Sequence, residues 1–167
     1  ALLAGLIDKA SAAGAKAIAF DVLFDQPTEP EKDAALAASI ATSNIPVFIA
    51  HASKQDQLTD KQVNYLNAFA PEAQRLLVNL IRDDRDGIVR STLPKRKEGN
   101  KTVYGMANAL ASLIKGSEVK HTDIAPDRHV IRLRRGPNAD EPPFPIYPAH
   151  ALKFLPEEWL KDRVLLV

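Results

Sequence analysis

Two hydrophobic patterns alternate along the first third of the chain. Apolar residues at steps of three and four over residues 2–10 predict a helix, which Gly14 would end. Residues 15–24 form a short, mostly apolar run and predict a buried strand that leads into a loop. The same pair of patterns repeats as a helix over 31–42 and a second buried strand over 45–50. This order of elements predicts a parallel α/β core.

The rest of the chain is less regular. Residues 51–71 are polar and poorly periodic, and no element is predicted there. An Asp-Gly pair between two apolar runs predicts a β-hairpin with strands at about 76–81 and 88–93. A helix is predicted over 102–115. The remaining predicted elements are an alternating strand at 130–134, a short helix at 149–154 and a third buried strand at 163–167.

No internal repeat or linker divides the chain, so residues 1–167 are interpreted as one domain. The predicted fold is α/β, with a mostly parallel central sheet flanked by helices and a β-hairpin near residues 76–93. The first residues begin inside a helical pattern with no capping residue before them, and the last five end on an apolar strand. We therefore expect this domain to be a segment of a longer protein.

Composition excludes several classes of protein. The 167 residues are 46% hydrophobic and 26% charged, which is too apolar for a disordered chain. A net charge of +1 argues against a general nucleic-acid binder, so no nucleic-acid partner is predicted. The chain has no cysteine, which excludes disulfides, thiol catalysis and cysteine-ligated metals.

Asp21 stands where the first predicted strand ends. Open α/β sheets bind ligands at the carboxyl ends of their strands. If a small ligand exists, we expect it near Asp21, Phe24 and Arg90, with Asp86 as a further candidate. The alternative is that Asp21 only accepts backbone hydrogen bonds in the following loop.

The acidic stretch that ends at Gly87 is interpreted as a charged turn. A calcium loop would need a glutamate at its twelfth position, and none stands there. We expect Arg90 to reach back to Asp86 and Gly87 to supply a positive φ. None of the four histidines are three or four residues apart, so no local metal-ligand pair exists, and no cofactor is predicted.

Several segments together form a more specific pattern. The first contains A-G-A-K followed by F-D, and the fourth reads D-G-I-V-R. The segments are 13–24, 33–37, 45–50, 86–90, 144–147 and 161–167.

In this order and at this spacing the pattern resembles the CHASE2 domain, an extracytoplasmic sensory module of bacterial transmembrane receptors. The resemblance implies a domain outside the cytoplasmic membrane, flanked by membrane helices and followed by a cytoplasmic cyclase or kinase. It carries over no catalytic residue. Asp21, Asp33, Asp86, Gly87 and Arg90 match recurrent positions of the family; Asp33 and Gly87 are assigned to its structural motif.

Three functions are therefore carried forward. The first is a non-catalytic sensor that binds an unknown small molecule or protein, with a homodimer as its candidate assembly. The second is a hydrolase that would hold a divalent metal with Asp21 and either Asp25 or Asp86. The third is a dimerisation or protein-interaction module.

Overall fold

A computed structural model describes residues 2–116, 129–131, 135–138 and 140–167. The helices are α1 (Leu2–Ala12), α2 (Pro30–Thr42), α3 (Asp60–Phe69), α4 (Met106–Lys115) and α5 (Glu157–Leu160). The strands are β1 (Ala17–Phe20), β2 (Val47–His51), β3 (Arg75–Leu77), β4 (Leu80–Arg82), β5 (Val89–Thr92), β6 (Lys95–Glu98), β7 (Lys101–Tyr104), β8 (His129–Val130) and β9 (Val164–Leu166). Short 3₁₀ helices lie at Lys54–Asp56, Glu72–Gln74 and Ala149–Phe154.

A four-stranded sheet in the order β3-β2-β1-β9 forms the centre, and every pair of neighbours in it is parallel. Strands β4, β5 and β8 form an antiparallel sheet, and β6 and β7 form a separate hairpin. The predicted α/β class, with a parallel sheet, flanking helices and a hairpin, is confirmed.

Strand β1 separates two apolar layers. Its Ile18 and Phe20 side chains belong to the main core, which they share with residues of α1, α2 and α3. Ala19 points to the opposite face and packs with Met106 of α4 and Leu76 of β3. Because successive side chains of a strand alternate between its faces, β1 can be apolar throughout only when both faces are covered.

Strand β9 corrects one prediction. The run 163–167 was expected to be a buried strand, but β9 lies at the edge of the sheet and pairs with β1 alone among the described strands. Leu166 near its end is 70% exposed. An apolar run identifies a strand, but it does not determine whether a second strand or a helix covers it.

The predicted strand 76–81 is two strands that belong to different sheets. β3 joins the parallel sheet beside β2, whereas β4 pairs with β5 in the predicted hairpin. Val78 and Asn79 separate them. Local apolar character does not indicate such a change of partner.

Helix α3 lies within the stretch for which no element was predicted. Thr59 caps it, since its side chain accepts from the Gln62 backbone N–H and the Gln62 side chain in turn accepts from the Thr59 N–H. This reciprocal cap has a recognisable spacing in the sequence. Leu66 and Phe69 on its inner face are buried.

The predicted helix 102–115 begins too early. Residues 101–104 form β7, which pairs with the charged strand β6 around Gly99 at φ +61°. Gly105 then ends the strand, and α4 starts at Met106. Strand β6 consists of lysine, arginine and glutamate only. It therefore has none of the apolar alternation by which a strand is predicted from sequence. The alternating run 130–134 is described only at 130 and 131; residues 132–134 lie outside the described part.

Gly105 provides the first test. A Cβ added there would lie 2.6 Å from the Leu93 carbonyl oxygen, which is backbone and cannot rotate away. Gly105→Ala should lower the free energy of unfolding by about 1–3 kcal/mol, measured by urea denaturation. The control is Gly5→Ala in α1, where an added Cβ meets nothing within 4 Å; it should raise stability by about 0.5–1 kcal/mol. Equal effects of the two substitutions would contradict the close approach.

Candidate functional site

A cleft of about 180 Å³ opens at the carboxyl edge of the parallel sheet. Asp21, directly after β1, lines it together with Leu166 of β9 and Asn108 of α4. The Asp21 backbone N–H donates to the Val167 carbonyl at 2.8 Å, which ties the ends of the two strands together. The Asp21 side chain therefore lies where the fold predicts a ligand-binding edge.

Phe24 lies in the loop after β1 and is half-buried. Its ring stacks on Phe69 of α3 with 5.1 Å between centroids, and it meets Phe20 edge-on at 6.3 Å. These contacts anchor the loop to the core.

Asp86 and Arg90 pair with each other at the end of the β4–β5 hairpin. The Arg90 guanidinium donates to both Asp86 carboxylate oxygens, at 2.8 and 2.7 Å. Arg90 lowers the pKa of Asp86, and the predicted reach across the turn is confirmed. Gly87 has the expected positive φ of +69°. Arg90 does not line the Asp21 cleft, so the structure places these two candidates in separate surroundings.

Asp33, in the first turn of α2, holds the loop that precedes the helix. Its carboxylate accepts from the Thr28 hydroxyl at 2.6 Å and from the Thr28 backbone N–H at 2.7 Å. The Tyr65 hydroxyl donates to it at 3.2 Å. The two bonds from Thr28 lower the pKa of Asp33.

The acids considered for a metal-dependent hydrolase are also apart. Asp25 accepts from the Gln62 side-chain amide at 2.5 Å, Asp86 is held by Arg90, and Asp21 lines the cleft. Among the residues that the structure describes, no group of three His, Asp or Glu side chains could hold a metal ion.

A polar network that the sequence pattern did not predict lies beside the parallel sheet. Arg96 of β6 donates to both carboxylate oxygens of Asp56, at 2.7 and 2.5 Å, and to Glu98 at 2.5 Å. Glu98 also bonds the Nε2 of His51 at 3.0 Å, and Asn79 donates to Asp56 at 3.0 Å. The network joins the β6–β7 hairpin to the end of β2.

The network is largely shielded from water. The Arg96 and Asp56 side chains are only 14% and 18% exposed. Hydrogen bonding from Arg96 is the main reason that the pKa of Asp56 falls to about 2. Burial raises the pKa of Glu98, but hydrogen bonds from His51 and Arg96 outweigh burial, so its pKa is lowered. Charge-assisted bonds in a partly dry site account for both shifts.

The sequence offers little that would reveal this network. Asp56 and Arg96 are 40 residues apart. His51 looks like a lone histidine, and Arg96 like part of a basic loop. The local signals are the charge alternation of 95–98 and the capping box between Ser53 and Asp56. Neither signal shows that the two segments meet.

Comparison with known protein families shows which family this chain belongs to. The family model described as the CHASE2 domain matches residues 1–167. The chain belongs to the CHASE2 family.

CHASE2 domains are extracytoplasmic sensory domains. No curated protein and no solved structure matches this CHASE2 chain significantly. No helix in the part of the CHASE2 domain that the structure describes is long and apolar enough to cross a membrane.

The Asp56–Arg96 pair of this CHASE2 domain predicts a pH dependence. A carboxyl whose folded pKa is depressed stabilises the fold above its unfolded pKa, and the contribution disappears as pH falls through the folded value. Asp56 should therefore contribute up to about 2 kcal/mol at neutral pH, which is lost between about pH 4 and pH 2.

Urea unfolding from pH 7 to pH 2 checks this. Asp56→Asn should be less stable than the native chain at pH 7 and should approach it at pH 2. The control is Asp8→Asn, an exposed position on α1. A constant difference between Asp56→Asn and the native chain across this range would contradict the assignment.

Proposed function

We propose that this chain is the non-catalytic sensory domain of a bacterial transmembrane receptor. It binds a small-molecule or protein signal outside the cytoplasm and relays it to a cytoplasmic output module such as a nucleotide cyclase or kinase. Membership in a family of extracytoplasmic sensory domains supports the sensory part.

The cleft at the carboxyl edge of the parallel sheet is the observation that carries the proposal. Asp21 and Leu166 line it from two neighbouring strands. β9 is short and lies at the edge of the sheet, so fewer contacts hold it than hold β1. Strands with few buried contacts open at lower free energy than core strands. A ligand that contacts both sides of the cleft would therefore favour one position of β9 over another.

The topology supports a relay along the chain. The four residues 13–16 connect α1 to β1, and such a short connection makes the helix run antiparallel to the strand it packs on. The first turn of α1 then lies toward the carboxyl edge, where β9 also ends. Segments joined to α1 and to β9 would leave the domain on the same side.

Filling the cleft tests the proposal in the full-length receptor. Ala107 of α4 lines the cleft and is exposed, so Ala107→Phe would place a ring there. The ring would occupy the cleft as a ligand does and would favour one position of β9. We therefore expect the output activity in membrane vesicles to change by about fivefold or more, in either direction.

Ala111→Phe is the matched control. Ala111 is also exposed on α4 but does not line the cleft. Circular dichroism of both variants verifies the fold. Equal output from the two folded variants would refute the relay through the cleft.

A further inference from the structure

A second, wider groove of about 550 Å³ lies between α3 and the β6–β7 hairpin. Its polar wall contains His51 at the end of β2 and Arg75 at the start of β3. Val63, Leu76 and Val103 supply apolar surface. A concave site with apolar walls and a few polar groups has the character of a small-molecule site.

Arg75 is a partly buried cation that forms no salt bridge with any described residue. Its guanidinium donates to the Asn67 side-chain oxygen, and its Nε is buried without a hydrogen-bond partner. Burial lowers the pKa of Arg75, although Glu72 and Glu98 act in the opposite direction. A buried N–H of a charged group without an acceptor is costly, and an added acceptor recovers that cost.

The acids in the groove already have partners. The Lys101 ammonium lies 2.6 Å from the Glu72 carboxylate. Glu98 accepts from His51 and from Arg96. An ammonium group on a ligand would therefore find no unpaired carboxylate here, whereas a single negative charge would complete Arg75. Repulsion from Glu72 and Glu98 acts on any anion in the groove and grows with its charge, so it opposes a doubly charged phosphate more than a monocarboxylate.

His51 supplies a second polar point. It is 9% exposed, and its Nδ1 is buried without a partner. When Nε2 donates to the Glu98 carboxylate, Nδ1 of the neutral ring is an acceptor, so His51 lines the groove without bonding a carboxylate there.

We propose that this groove binds a small organic monocarboxylate, whose carboxylate pairs with Arg75 while its apolar body lies against Val63, Leu76 and Val103. Because Nε is buried, binding requires the Arg75 side chain to turn until Nε faces the groove. The planar guanidinium then donates two parallel hydrogen bonds, the geometry for which arginine is suited. The inference deepens the proposed function by naming a ligand class, and only its signalling consequence rests on that function.

Titration of the chain with benzoate tests the proposal by calorimetry and by NMR of the groove methyl groups. Benzoate should bind with a Kd of about 1 mM or tighter. Three further probes separate the alternatives: benzamide has the same shape without the charge, phenylalanine adds an ammonium, and inorganic phosphate lacks the apolar body. All three should bind at least about tenfold more weakly: benzamide lacks the charge, phosphate lacks the apolar body, and the ammonium of phenylalanine loses its hydration without gaining an unpaired carboxylate.

Variants locate the site. Arg75→Gln should weaken benzoate binding about tenfold or more, whereas Arg82→Gln on β4, outside the groove, should leave it unchanged. Should Arg75→Gln fail to fold, Ala73→Phe blocks the groove without touching the guanidinium, and Ala68→Phe on α3, outside the groove, is its control.

The outcomes separate the two proposals. Three results would each overturn the site. They are no saturable benzoate binding at millimolar concentration, binding of benzamide, phenylalanine or phosphate as tight as that of benzoate, and unchanged binding to the folded Arg75→Gln or Ala73→Phe variant. If the site fails while Ala107→Phe still changes receptor output, the proposed function stands. If benzoate binds as expected while Ala107→Phe and Ala111→Phe give equal output, the site stands and the relay fails.

Discussion

The burial of β1 on both faces is the constraint on which the rest of the structure depends. All four of its side chains are 0% exposed, and β2 and β9 take its hydrogen bonds on either side. Such a strand needs helices above and below, and α1, α2 and α4 supply them. Asp21 is the first exposed residue after the strand. The cleft therefore lies where the chain leaves the buried strand β1 and becomes exposed to solvent.

A polar network attaches the β6–β7 hairpin to the segment that follows β2. Arg96 joins the β6–β7 hairpin to Asp56, and the same hairpin forms a wall of the wide groove. The partly buried charges of Arg96 and Asp56 are stable there because both hydrogen bonds between them are charge-assisted. His51 and Glu98 belong both to this network and to the lining of the groove.

The candidate residues divide by what surrounds them. Asp33 and Phe24 bind neighbouring elements, and Asp86 pairs with Arg90 across a turn. These contacts hold the loop after β1, the loop before α2 and the turn between β4 and β5 in place. Asp21 and Arg75 differ, because each lines an open concavity and neither forms an ion pair among the described residues. Sensory function is best sought at these two.

Local pattern determined the first third of this protein and one later turn. The helix, strand, helix, strand order, the positive φ of Gly87 and the placement of Asp21 at a strand end all follow from periodicity and backbone restriction. Tertiary structure decided the rest. The split at Val78, the strand built from the charged residues 95–98 and the meeting of His51, Glu98 and Arg96 depend on contacts between distant segments. The sequence holds both partners of each contact but not their distance, because only the folded chain brings them together.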